Sequence, residues 1–220
     1  MTVAEIIRCL EAKYGRQQRS RLDPISELVL TIISQNTSDA NSRPAFGALR
    51  EAFAGWQQVA EARPEEIADA IRAGGLEHIK ARRIKQALSE ILRQRGQLDL
   101  NFLRGMPLDE AKAWLRRLPG VGPKTAACVL LFSLDMPALP VDTHVYRVAR
   151  RLGLVSAKAS AESAHDILES LVPPKDVLRF HMVLIEHGRR QCTARRPDCP
   201  QCPLLEGCPF GQSAGYGSGS

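Results

Sequence analysis

No apolar run in this sequence reaches the roughly 18–20 residues that a helix needs to cross a bilayer. The opening stretch, Met1 to Gly15, carries acidic residues inside its apolar pattern and shows no small-residue cleavage site. It reads as an amphipathic helix, not as a signal peptide. The two absences together point to the cytoplasm. Apolar–polar alternation bounded by hairpin turns is also missing, as is any repeat of fixed period, so a strand-rich fold and a repeat array are set aside. What is present is a globular composition, 44% hydrophobic and 25% charged over 220 residues, enough for one large domain or two small ones.

Helical spacing runs almost end to end. "AEIIRCLEAKYG" closes on Gly15, and "DPISELVLTIISQ" opens with Asp23 as an N-cap and Pro24 in the first turn. "IKARRIKQALSEILRQR", "PLDEAKAWLRRL", "PKTAACVLLFSL", "DTHVYRVARRLGL" and "VLRFHMVLIEHGRRQC" continue the pattern. Pro64, Pro107 and Pro123 stand at or near further starts. The spacing predicts an all-α chain of about ten helices joined by short loops. The Gly/Ser-rich end, 211–220, reads as a flexible tail.

The formal charge of +6 suits a polyanionic partner. The positive residues are clustered: Arg189, Arg190, Arg195 and Arg196 crowd one segment, and "HIKARRIK", His78 to Lys85, makes a second group. Of six cysteines, Cys9 and Cys128 lie in apolar helical patterns and read as small buried hydrophobes. Cys192, Cys199, Cys202 and Cys208 are spaced C-x6-C-x2-C-x5-C within 17 residues. Four thiolates suit zinc or a [4Fe–4S] cluster. A first gap of six is unusual for a zinc knuckle and favours iron–sulfur, with zinc still open. Between the first two cysteines lies "TARRPD"; a metal holding its ends would fix Arg195 and Arg196 for contact with phosphate.

"PGVG" joins two helical segments as helix, tight turn, helix. Gly120 and Gly122 permit positive φ and leave backbone N–H groups uncovered, and the next helix starts at Pro123. Open N–H groups at a helix N-terminus make an anion site, so Gly120, Val121 and Gly122 form a helix-hairpin-helix that grips nucleic-acid backbone. Lys124 is electrostatically misplaced in that first turn, and an unfavourable dipole lowers a lysine pKa towards the neutral amine that a nucleophile needs. Asp142, in "VDTH", can N-cap the helix that follows.

Together these residues resemble the endonuclease III family of DNA base-excision glycosylases. "LPGVGPKTA" is similar to the family's hairpin with its catalytic lysine. "VDTH", eighteen residues on, resembles its aspartate segment, and the four-cysteine spacing matches its iron–sulfur motif. "IISQNTSD" and "GGLEHIKA" resemble two further family segments, so the likeness runs from about residue 22 to residue 208. It implies two all-α domains with DNA bound across the cleft between them. A six-helix barrel would span 22–134 and an iron–sulfur cluster domain 1–21 with 135–210. The implied catalytic residues are Lys124, attacking C1′ through a Schiff base, and Asp142, stabilising charge on the sugar. The implied cofactor is a [4Fe–4S] cluster on Cys192, Cys199, Cys202 and Cys208. Asn36 and Leu76 match residues that fill the space left by a flipped nucleotide, and His144 reads either as a residue that orients the site or contacts DNA, or as a structural histidine at a helix start.

The implied partner is double-stranded DNA with damaged bases or abasic sites, bound by a monomer in the cytoplasm, at the nucleoid. Oxidised pyrimidines are the implied substrates. An AP lyase or mismatch glycosylase of narrower range, and a non-catalytic DNA-structure binder, are the alternatives. Lys124 argues against the adenine-excising branch. Pro123 in place of the usual arginine, Asn36 in place of glutamine, and Thr37 and Ser38 depart from the pattern around the base pocket and the opposite-strand contact.

Overall fold

The computed structural model describes residues 1–17 and 19–213. The seven residues at the end of the Gly/Ser-rich stretch lie outside that range. Eleven helices of six residues or more occur among the described residues: α1 (Val3–Tyr14), α2 (Pro24–Ile33), α3 (Asp39–Ala52), α4 (Trp56–Glu61), α5 (Pro64–Ala70), α6 (Glu77–Arg95), α7 (Leu108–Arg116), α8 (Pro123–Leu134), α9 (Thr143–Arg151), α10 (Ser163–Leu171) and α11 (Val177–Arg190). No strand occurs among them. Starts and stops follow local chemistry. Thr2 and Glu5 form a capping box on α1, Asp23 caps α2 through the Ser26 N–H, and Gly15 and Gly96 close α1 and α6 with positive φ.

The chain divides into two compact units. One is Arg21–Met136. Its centre is α2 against α8, flanked by α3, α6 and α7. Both central helices are apolar nearly all round: every α2 residue but Leu30 is buried, and α8 is buried from Thr125 to Leu134. Such helices belong at the middle of a bundle. The far end of α8 is closed with care. Asp135 turns left-handed at φ 56°, and the Met136 N–H reaches back to the Leu130 carbonyl at 3.0 Å. Arg21 and Arg104 both donate to the Ser133 carbonyl, at 2.7 and 2.6 Å. Two cations on the last carbonyls satisfy orphan acceptors and oppose the negative end of the helix dipole.

The other unit joins Met1–Ser20 to the chain from Pro137 onward. Here α11 packs on α1 and α9. Arg179 of α11 holds Glu11 of α1 through two hydrogen bonds, 2.9 and 2.7 Å. After α11 the chain turns irregular, and the four clustered cysteines lie in this segment.

Candidate active site

The glycine turn sits between α7 and α8. Leu118 and Val121 are buried and anchor it. The Val121 N–H bonds the Leu118 carbonyl at 3.1 Å, making a tight reversal. Gly120 has φ 77°, where an L side chain is strained, and a Cβ there would meet Arg83 Cγ at 2.8 Å. Gly122 differs from the sequence reading: its φ is −93° with extended ψ, and a Cβ would meet nothing within 4 Å. Positive φ is required at one glycine of the pair. The second leaves open the space in front of α8. The N–H groups of Gly122, Lys124 and Thr125 have no acceptor among the described residues, and Pro123 has no N–H to offer. They make a ready anion site at a helix N-terminus.

Lys124 is half-buried on the first turn of α8, with no hydrogen bond or ion pair to any described residue. Its neighbour Thr125 is buried and accepts from Gln35 Nε2 at 3.3 Å. The same Nε2 donates to the Gly120 carbonyl at 3.1 Å, and Gln35 Oε1 accepts from Arg83 at 2.6 Å. Gln35, just past the end of α2, and Arg83 of α6 therefore brace the turn. Sequence reasoning placed Gln35 only as the neighbour of Asn36 and Arg83 only in a basic cluster. Neither has a local signal for this role, because the contact is made over 85 and 48 residues of chain.

Asn36 and Leu76 belong to the same unit. Both are exposed, Leu76 by 51%, and both have φ of 54°. A non-glycine residue in that region costs roughly 1–2 kcal/mol. An exposed leucine held in a strained corner loses on both counts unless it has work outside the fold.

In the other unit, Asp142 caps α9. Its Oδ1 accepts from the His144 and Val145 N–H groups at 2.9 and 2.8 Å, and Oδ2 is left without a partner among the described residues. The His144 ring meets Arg147 at 3.1 Å and packs against Gly188 of α11, where a Cβ would lie 2.9 Å from His144 Cβ. Arg147 and Arg151, one helical turn apart on α9, hold the cysteine segment. Arg147 donates to the Cys192 and Gly188 carbonyls at 3.0 and 2.8 Å, and Arg151 to the Thr193 and Ala194 carbonyls at 2.7 and 3.1 Å. Arg195 and Arg196 stand exposed on the loop so fixed. The two anchoring arginines were legible only as an i, i+4 pair in "YRVARR".

Cys192, Cys199, Cys202 and Cys208 line one recess with Arg151 and His187. Among the described residues no group of three or more His, Cys, Asp or Glu is arranged to hold a single metal ion. Burial pushes the Cys202 thiol up to about 11 and raises Cys199 as well. His187, buried, is driven down to about 4, so its imidazole is neutral; Nδ1 faces Tyr14 Oη at 3.0 Å and Nε2 faces Cys202 Sγ at 3.6 Å. Cys128 is buried, while Cys9 is only half-buried.

Comparison with known proteins gives these features a family. Residues 29–174 match the HhH-GPD superfamily of base excision DNA repair proteins. Endonuclease III of Thermotoga maritima is 34% identical over 215 residues, which cover 98% of this chain and 96% of that protein. A relative from Arabidopsis thaliana is 40% identical over 162 residues, 74% of this chain; the chain spans 55% of that relative's length. A solved non-covalent endonuclease III–DNA complex superposes with a TM-score of 0.83 at 29% identity, covering 97% of this chain and 98% of that one. A trapped endonuclease III–DNA covalent intermediate does so at 0.80 and 30%, covering 97% and 99%. The chain belongs to the endonuclease III family, within the HhH-GPD superfamily. No described helix is long and apolar enough to cross a membrane.

Proposed function

We propose that this chain is a DNA glycosylase with AP lyase activity, working in base excision repair on oxidised pyrimidines in double-stranded DNA. The observation that carries the reading is Lys124, a partnerless amine on the first turn of a helix whose N–H groups open beside a glycine turn. A relative trapped as a covalent DNA intermediate supports a covalent route. The Lys124 amine attacks C1′ of the extruded nucleotide. The C1′–N bond breaks, and its electrons leave with the base, which takes up a proton. The C1′–O4′ bond then breaks as a proton passes from Nζ to the ring oxygen, giving a protonated Schiff base and a free hydroxyl. Loss of a C2′ proton then expels the 3′ phosphate and cuts the strand, and water frees the lysine. Asp142 keeps Oδ2 available to stabilise positive charge on the sugar and to move protons. Borohydride reduction with abasic duplex tests the reading: a covalent protein–DNA adduct is expected, and its absence would remove the lysine Schiff base and with it the lyase step.

In the same reading, Arg21–Met136, which carries seven helices from α2 to α8 where six were expected, is the barrel domain and the other unit the cluster domain. The donor chemistry favours a [4Fe–4S] cluster on Cys192, Cys199, Cys202 and Cys208. Four soft sulfurs line one recess, and their C-x6-C-x2-C-x5-C spacing resembles the family's iron–sulfur motif. Buried thiols of raised pKa need positive charge to become thiolates, and iron held by these cysteines would supply it. The chain's part is to hold the loop bearing Arg195 and Arg196. Purified protein should contain iron and acid-labile sulfide in equal amounts, and Cys202→Ser should lose both and melt at lower temperature. Stoichiometric zinc after anaerobic, iron-replete expression would overturn the assignment.

The glycine pair gives a contrast. Gly120→Ala should destabilise the fold by roughly 1–3 kcal/mol, because it combines a strained φ with a clash on Arg83. Gly122→Ala should leave thermal unfolding within about 0.5 kcal/mol of wild type. Its methyl group stands where a phosphate would approach, so DNA affinity should fall severalfold. Unchanged affinity in Gly122→Ala would remove the anion site from the reading.

A further inference from the structure

Lys80 has a burial that the reaction above does not explain. It is 1% exposed, the largest fully buried side chain of the described residues, in a unit otherwise filled with Ile and Leu. Its Nζ donates to Thr37 Oγ1 at 2.6 Å and to the Gly74 carbonyl at 2.8 Å. Thr37 Oγ1 itself donates to the Gly74 carbonyl at 2.6 Å, which closes a triangle. Burial lowers the Lys80 pKa, and the buried amine is met by two oxygen acceptors, the Thr37 hydroxyl and the Gly74 carbonyl. An unpaired buried lysine would be costly, and this one is spent on joining two loops.

The loops it joins are the two strained corners. Thr37 directly follows Asn36, and Gly74 lies two residues before Leu76. The Lys80 backbone N–H also donates to the Leu76 carbonyl at 3.0 Å, so Lys80 holds the Leu76 corner at one end and the Asn36 corner at the other. On its other side Asn36 follows Gln35, which is tied to Gly120 and Thr125. Left-handed φ at a non-glycine residue persists only where the surroundings over-determine it. We infer that Lys80 is a positioning residue that locks the Asn36 and Leu76 corners into one rigid piece, so that both side chains enter the duplex together when a nucleotide is extruded. The inference rests on the glycosylase reading and assigns that site its support. Rigidity matters because two wedges on independent loops would each lose conformational freedom on entering the base stack.

Lys80→Met and Thr37→Val each remove the polar contact at similar volume, and the second keeps the clamp testable if the first fails to fold. The assays are excision from a lesion-containing duplex, borohydride trapping on a single-stranded abasic oligonucleotide, and fluorescence of 2-aminopurine beside an abasic analogue in a duplex. Both variants should lose about tenfold or more in duplex excision and most of the fluorescence rise, while trapping on the single strand stays within about twofold. Duplex excision within about twofold of wild type would overturn the clamp, as would equal losses in every assay, which mean only a smaller folded fraction. If wild-type protein neither traps nor excises, the glycosylase reading fails instead. The fluorescence signal needs no bond-making and still decides whether the clamp exists.

Discussion

Lys124→Ala should abolish borohydride trapping and lower base excision by at least about a thousandfold, near 4 kcal/mol of transition-state stabilisation. The fold should not suffer. Lys124 is half-buried and makes no hydrogen bond or ion pair with a described residue, so truncation orphans nothing. Alanine is the better helix former, and removing a cation from a helix N-terminus gains about 0.3–1 kcal/mol at most. Stability is therefore expected to hold or rise slightly while activity disappears, a separation seldom seen when a loss comes from misfolding. Residual excision within about tenfold of wild type would mean that water, not this amine, is the attacking group.

The second large effect is expected at Asp142. Asp142→Asn should lose about a hundredfold or more in excision, near 2.7 kcal/mol, and keep its affinity for abasic duplex. The substitution is unusually clean because of what Oδ1 already does. It caps α9 through two N–H groups, and asparagine caps helices about as well as aspartate. Local geometry should survive, apart from a few tenths of a kcal/mol for charge lost at a helix N-terminus. What vanishes is the negative charge at the free Oδ2. Asp142→Ala would lose both functions and mix about 1 kcal/mol of cap with the chemistry. If Asp142→Asn excised damaged bases within about threefold of wild type, the carboxylate would be a cap and nothing more.

Much of this was legible in the sequence wherever the cause was local. Asp23, Pro24, Gly15 and Pro123 announce helix ends through their own bonding and φ preferences, and the helices they bound lie where those residues put them. The helix Trp56–Glu61 escaped because six residues are too few to show a period. At the site, Lys124 stands out because a cation at a helix start is a local oddity, whereas Asp142 reads by itself as an ordinary N-cap and gains its further role only from the family resemblance. Gln35, Arg83 and Lys80 do not stand out. Their work is done across tens of residues, and an arginine or lysine in "HIKARRIK" looks alike whether it faces solvent or, like Lys80, is sealed inside. Gly122 shows the converse error. Sequence pairs it with Gly120 as a φ requirement, whereas its value lies in the space it leaves empty.

Gly188 has a mechanical consequence. It lies four residues before Cys192, at the point where α11 presses closest on His144. His144 is two residues beyond Asp142, and Arg147 ties the Gly188 and Cys192 carbonyls to the same helix. The segment that carries the four cysteines and the helix that Asp142 caps thus meet at one tight contact. Oxidative loss of the cysteine anchor, or a methyl group added at residue 188, would be transmitted as a displacement of Asp142.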